Sequence, residues 1–314
     1  MYERTGQRRT EANHTPVCKN LIKIAVSDNS QGTELSHSIF SLHHSIFQEK
    51  STLTMKPTSH PSMALFRGWD TPTHYVWSPF VTKVEFRLRL SALPYTSLVG
   101  SPRTAPRGKI PYLSLSAPSS NTPTEWLSDS TLIFRTLIDR GAIPDLNATL
   151  SPTQKAHDLA IRALLEEKLY FTQGRERWVQ NYYTMRDHTL WSIPYPLRVV
   201  IGNLAYRANL RKFYDHGAGR FSDDETRAFV KEIWSGVGAL LEESKRNVKG
   251  DVCFWVLGGK EPTEADATVF GFAVSTLVCD AAPESRELVK MEFPVVVEYA
   301  ERIHRRWFAE YEMW

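Results

Sequence analysis

From residue 63 onward apolar positions recur at regular spacings, whereas residues 1 to 62 hold Ser, Thr, His and Asn in quantity around two apolar islands, "LIKIAV" and "SIFSLHHSIF". That contrast predicts a poorly ordered N-terminal extension over 1 to 62 and ordered structure after it. "MALFRG" reads as a short strand ending at Gly68, and a polar loop leads into "SPFVTKVEFRLRLSALPY". There Ser78 is an N-cap and Pro79 the first helical residue, with Phe80, Val84 and Leu88 on one stripe. The helix stops before Pro94, "YTSLVG" supplies a second strand, and the loop "SPRTAPRG" leads to "KIPYLSLS". Pro111 within that run marks either an edge strand or a special turn. "SDSTLIFRTLIDRG" has Ile133, Leu137 and Ile138 at helical spacing and closes on Gly141 as a C-cap.

The order so far is strand, helix, strand, strand, helix, and after Leu150 only helical patterns remain. "SPTQKAHDLAIRALLEEKLYF" opens on a Ser-Pro cap, with Ala160, Leu164, Glu167 and Phe171 on one ridge. "RFSDDETRAFVKEIWSGVGALLEES" has Ser222 and Glu225 in capping-box spacing, and "PTEADATVFGFAVSTLV" and "FPVVVEYAERIHRRWF" complete the half. The predicted organisation is an α/β domain over 63–141, a linker over 142–150 and an all-α domain over 151–314. No fixed-period repeat is visible.

Composition narrows the partners. The 314 residues carry a formal charge of +3, with 23% charged and 42% hydrophobic residues, and Lys and Arg are interspersed with Asp and Glu. Nothing in this balance asks for nucleic acid or an anionic membrane. Three cysteines, Cys18, Cys253 and Cys279, are too scattered for a disulfide framework or a thiolate metal site, which points to a reducing, cytoplasmic setting. The longest apolar run, "ATVFGFAVSTLVC" at 267–279, falls well short of the roughly 20 residues of a spanning helix, so no integral membrane segment is expected. The first twenty residues read as neither a secretory signal nor a transit peptide, and Met55 and Met63 are candidate translation starts.

Three features of the first half carry candidate chemistry. Ser78 sits at a helix start, where unpaired N–H groups and the helix dipole favour negative charge, such as a thiolate. Ile110-Pro111 follows Gly108-Lys109, and a cis proline there would turn the backbone N–H and C=O of Ile110 outward to pair with an extended peptide. Asp129 and Ser130 stand at the next helix start, where Ser130 suits a carboxylate and Asp129 an ammonium group. A ligand that is a thiol, a peptide and an α-amino acid at once would use all three. Glutathione is such a ligand.

"SPFVTKVEFRLRLSALPY", "RGKIPYL" and "LSDSTLIF", followed by "EPTEADATVFGF", resemble the glutathione transferase superfamily over about residues 63 to 310, nearest the failed-axon-connections and metaxin-like branch. The resemblance implies a thioredoxin-like N-terminal domain followed by a helical glutathione-transferase-type C-terminal domain, with the ligand between them. It also implies that Ile110, before the cis proline, pairs with the cysteinyl part of glutathione, and that Asp129 and Ser130 hold the γ-glutamyl end. The expected binding set is Lys109, Ile110, Pro111, Asp129 and Ser130, with no metal. The reactive sulfur of cysteine-bearing relatives maps to Ser78, and with Ser at 78 and Val at 81 disulfide exchange through a protein thiolate is disfavoured. The Ser78 hydroxyl would instead donate to a bound glutathione thiolate, with Tyr75 as a second donor. Thr263 and Asp266 match the superfamily's capping box, a matter of folding stability.

Plainer roles stand beside these. Ser78, Asp129 and Ser130 can be helix caps only. Trp178, Tyr182, Tyr183, Trp191 and Tyr195 can line a co-substrate pocket or pack between helices. Glu167 suits an ion pair or a helix end, "RIHRR" a solvated face, and His188, His216 and His304 lack metal spacing. Two functions result. One is a transferase adding glutathione to a small-molecule electrophile, with a homodimer left open. The other is a non-catalytic scaffold with the same fold.

Overall fold

The computed structural model describes residues 62–116 and 124–314, all within one compact unit from Ser59 to Trp314. The expectations for residues 1 to 61, including Cys18 and a start at Met55, lie outside the described residues. Four strands form one sheet: β1 (Ser62–Phe66), β2 (Thr96–Leu98), β3 (Tyr112–Ser116) and β4 (Glu125–Ser128). Their order is β2-β1-β3-β4, with β1 parallel to β2 and the other neighbours antiparallel. β4 goes beyond the sequence reading; it is short, Trp126 is exposed, and only Leu127 turns toward the core. β3 is a central strand, which removes the edge reading of Pro111. The proline precedes Tyr112, the first paired residue, so its missing N–H costs the ladder nothing.

The row Leu65, Leu113, Leu127 faces two helices, α1 (Pro79–Leu90) and α2 (Ser130–Asp139). Leu65 and Leu113 form one core there with Val84, Leu88, Ile133, Phe134 and Leu137. On the other side α1 lies along a second core, so it is covered all round instead of on a single stripe. Phe80 and Phe86 belong to that second core. Lys83, Glu85 and Arg87 are each at most 1% exposed, and each finds a partner of opposite charge outside the helix. Lys83 meets Glu166 at 2.6 Å, Glu85 meets Arg67 at 2.9 Å, and Arg87 meets Glu264 at 2.8 Å. Burial holds the Glu85 carboxyl above its ordinary range, against the pull of Arg67 and of the hydroxyl that Tyr311 donates at 2.8 Å.

The remaining helices are α3 (Pro152–Ala163), α4 (Tyr170–Arg175), α5 (Tyr182–Thr189), α6 (Tyr195–His216), α7 (Asp223–Arg246), α8 (Glu264–Val278), α9 (Pro283–Glu292) and α10 (Pro294–Trp307). Wider π-type turns at Leu164–Leu169 and Glu176–Gln180 connect α3, α4 and α5. Ser151 with Gln154 and Ser222 with Glu225 make complete capping boxes. The ridge expected through Ala160 and Glu167 is displaced: both are exposed, and the buried side carries Asp158, Ile161, Leu165 and Leu169. Asp158 turns inward because its carboxylate accepts the Ala265 N–H at 2.7 Å, at the start of α8. The 267–279 run lies in and just after α8, which is buried from Glu264 to Leu277. Gly271 permits this, since a Cβ there would strike the Pro79 carbonyl and Lys83 of α1. Among the described residues no single helix is long and apolar enough to cross a membrane.

Thr263 and Asp266 do form the expected box, and Asp266 does more. Its carboxylate, fully buried, accepts the Thr263 N–H at 2.8 Å, the Val256 N–H at 2.8 Å and the Tyr299 hydroxyl at 3.0 Å. Asp266→Ala removes the acceptor of the Thr263 N–H, the Val256 N–H and the Thr263 hydroxyl, while Tyr299 keeps the backbone carbonyl of residue 266, so it is expected to lower the unfolding free energy by about 3 kcal/mol or more, above the roughly 1 kcal/mol of an ordinary cap. Urea titration of the purified variant checks this; a loss within that of a surface cap would contradict it.

Candidate functional site

The register brings the expected site residues to one end of the sheet. Phe66 closes β1, Leu98 closes β2, Tyr112 opens β3 and Ser128 closes β4, and these four lie in one row across the strands. Just beyond that row come Gly68, the Ile110–Pro111 peptide, which is cis, and Asp129–Ser130. Gly68 has φ +93°, and a Cβ on it would come within 2.7 Å of Ile110 Cδ1, so only glycine lets the chain leave β1 this close to the proline loop. Lys109 is exposed, Ile110 half-buried and Pro111 buried. Asp129 is exposed, with φ +79°, and its Oδ1 accepts the N–H groups of Thr131 at 3.1 Å and Leu132 at 3.2 Å. It is therefore the N-cap of α2. Ser130 is the buried first residue of that helix.

Ser78 occupies the α1 N-cap in extended conformation, half-buried, and its hydroxyl makes no capping bond. The Ser78 carbonyl accepts from Val81 at 3.2 Å and Thr82 at 3.4 Å, and Pro79 has no N–H. Phe80 thus carries the first helical N–H that this turn does not use. The residues leading to Ser78 are fixed from three sides. Arg67 donates to the carbonyls of Thr71 at 2.8 Å and His74 at 2.6 Å. Glu312 donates its N–H to the Thr73 carbonyl at 2.9 Å. The Trp77 carbonyl accepts from Arg177 Nη1 at 3.0 Å and from the Ser275 hydroxyl at 2.5 Å. Arg177 is 8% exposed, and its hydrogen bonds go to Trp77 and Ser275, none to a carboxylate. A buried cation thus stands one residue from the helix start.

Tyr170 faces the same region. Its ring meets Phe80 edge-on at 5.3 Å, and burial raises its hydroxyl pKa while the cations of Arg177 and Lys109 pull it down. The edge-on contact with Phe80 sets Tyr170, and with it the start of α4, against the first turn of α1. The spacing around "EEKLYF" carries no sign of this, because the neighbours that define the position come from the other half of the chain.

Other expected residues are placed elsewhere. Tyr75 is buried among Phe270, Phe308, Tyr311 and Trp314, and its hydroxyl is bonded to His304 Nδ1 at 2.9 Å. Burial, with Glu85 nearby, raises its pKa, the wrong direction for a group that shares a proton with a thiolate. His304 and Ile303 are buried, so "RIHRR" is only partly a solvated face. Tyr183, Trp191 and Tyr195 are exposed on the surface, and Trp178 and Tyr182 are half-buried. The ion pair foreseen for Glu167 falls to its neighbour Glu166. His216 stacks on Phe171 at 3.6 Å, and His188 on Trp77 at 3.5 Å. A cavity of about 450 Å³ is lined by Trp69, Trp77, His188, Lys290 and Trp314, and none of Ser78, Lys109, Ile110, Pro111, Asp129 or Ser130 reaches it.

A family described as the glutathione S-transferase N-terminal domain matches residues 79–185. Glutathione transferase GSTFuA3 from Phanerochaete chrysosporium is similar at 14% identity with a TM-score of 0.50, over 82% of this chain and 99% of that one. Glutathione transferase Omega 2S from Trametes versicolor matches at 18% identity and a TM-score of 0.41, over 80% and 91% of the two chains. A glutathione S-transferase from Methylobacterium radiotolerans, solved in complex with glutathione sulfonate, matches at 15% identity and 0.48, over 81% and 97%. The fold is that of a glutathione transferase, a thioredoxin-like half followed by a helical half.

Burial between aromatic rings lowers the His188 pKa to about 4. Its unfolded value is about 6.5, so its contribution to stability is full above that pH and is lost as the pH falls toward 4. His188→Phe keeps the stacking surface and is expected to flatten this part of the profile. Urea midpoints of both proteins at pH 7 and pH 5 test it, and parallel shifts would contradict the assignment.

Proposed function

We propose that the protein binds glutathione at the start of α1 and activates its thiol for addition to a small-molecule electrophile. The observation that supports this reading is that the cis Ile110–Pro111 loop and the Asp129–Ser130 helix start both lie just beyond the end of the sheet at which β1 closes, the strand from which the chain runs on to the Ser78 helix start. In this reading the Ile110 backbone pairs with the cysteinyl part, Asp129 faces the α-ammonium group, Ser130 the adjacent carboxylate, and Lys109 the far carboxylate. The thiolate is stabilised by the Ser78 hydroxyl, the Phe80 N–H and the α1 dipole, the last worth about 0.3–1 kcal/mol at an exposed helix end. Arg177 adds positive charge behind the Trp77 carbonyl. Tyr75 has no part, its hydroxyl being engaged by His304. The sulfur comes from the ligand: position 78 is a serine, Cys279 is buried, and burial raises the Cys253 thiol pKa. The order of "RGKIPYL", "LSDSTLIF" and "EPTEADATVFGF" along the chain is what favours the failed-axon-connections and metaxin-like branch.

The second reading, a binding scaffold without turnover, draws on the same loss of Tyr75 as a donor. Calorimetry with glutathione, followed by conjugation to a chloro-dinitro-arene, separates the two. Ser78→Ala is expected to lower the conjugation rate constant by about a hundredfold, the scale of one lost oxyanion-type donor, with glutathione affinity nearly unchanged. Unchanged turnover would overturn the role of Ser78. Binding without measurable conjugation in the unsubstituted protein would select the scaffold.

A further inference from the structure

α6 is the least covered long element. Of its 22 residues only Gly202 and Phe213 are buried. These two hold its inner edge: Gly202 lies against Arg186 and Tyr182 of α5, and Phe213 lies against Gly174 of α4. The opposite side carries Leu197, Val200 and Leu204, each more than half exposed and spaced i, i+3, i+7, so they form one stripe. Tyr183, Trp191, Tyr195, Leu210 and Tyr214 are exposed on the same stretch of chain. Half of the large hydrophobic side chains exposed among the described residues thus fall between 183 and 214. Such a concentration marks an interaction surface.

Charge selects the partner. α6 contains Arg198, Arg207, Arg211 and Lys212 against the single acid Asp215. Arg207 and Arg211 are exposed on the side of the stripe, and neither makes an ion pair among the described residues. A second copy of this face would bring cations to cations around an apolar centre. An anionic lipid surface satisfies both features: it takes apolar side chains into the acyl boundary and offers phosphates to arginine, with Trp and Tyr at headgroup level.

We propose that α6 docks by its Leu197–Val200–Leu204 face on the surface of a bilayer containing anionic lipid, lying in the interfacial plane. The helix is about 33 Å long at 1.5 Å per residue, and Leu197 to Leu204 lay about two turns of apolar contact along the membrane. The surface is independent of glutathione binding, so either proposal stands without the other.

Flotation of the full chain with vesicles tests this. Binding to phosphatidylcholine vesicles containing phosphatidylserine is expected to exceed binding to phosphatidylcholine alone by at least tenfold, and to weaken as salt rises. Leu204→Glu and the double variant Arg207→Glu, Arg211→Glu are expected to lose tenfold or more, with unchanged thermal melts because all three positions are exposed. Absence of binding to the anionic vesicles, or equal binding by the variants, overturns the proposal. So does a dimer in the unsubstituted protein that Leu204→Glu converts to monomer without any vesicle binding, which would assign the face to a second copy.

Discussion

The structure depends on housing the charges of α1. A helix whose Lys83, Glu85 and Arg87 are all buried cannot be completed by the sheet against which it packs. Two of the counter-charges, Glu166 and Glu264, come from the helical half, and Glu310 adds a contact to the half-buried Arg89 at 2.5 Å. Removing one partner of a buried pair leaves an uncompensated charge, at a cost of about 3–5 kcal/mol. The two halves are therefore obligate to each other. The position of the α1 start is set by both.

The same constraint fixes the segment that leads to the α1 start. The segment from Trp69 to Trp77 contains no helix or strand, yet its carbonyls are taken up by Arg67, Arg177, Ser275 and the Glu312 N–H. Arg67 serves twice, pairing with Glu85 inside α1 and gathering the loop outside it. A helix start fixed in this way offers its N–H and hydroxyl groups at a constant place, which is what stabilisation of a developing thiolate requires. Fixing the Trp77 carbonyl from α8 and the π-turn of Arg177 ties that placement to the helical half.

What could be read from the sequence was local chemistry. Ser78-Pro79, Ser151-Pro152, Ser222 with Glu225 and Thr263 with Asp266 all sit at helix starts, because caps act within three residues. The change in periodicity after Leu150 made a strand-and-helix half followed by a helical half legible, and the resemblance implied that the first is thioredoxin-like. Features set by distant partners were not. β4 exists through pairing with β3, Asp158 turns inward to serve Ala265, and Tyr75 is engaged by a histidine 229 residues away. The charges of α1 look like a solvated face until their partners are in place. Of the candidate residues, Ile110–Pro111 and Asp129–Ser130 lie just beyond the same end of the sheet and Ser78 caps α1, whereas Tyr170 and Arg177 carried no spacing signal.

The most direct test of the account is a crystal structure of the protein with glutathione. The account predicts the sulfur within about 3.5 Å of the Ser78 hydroxyl, a hydrogen-bonding distance for sulfur, with the cysteinyl backbone paired to Ile110 and the γ-glutamyl end at Asp129 and Ser130. Glutathione seated elsewhere, for instance in the cavity lined by Trp69 and His188, or no glutathione bound at saturating concentration, would contradict it.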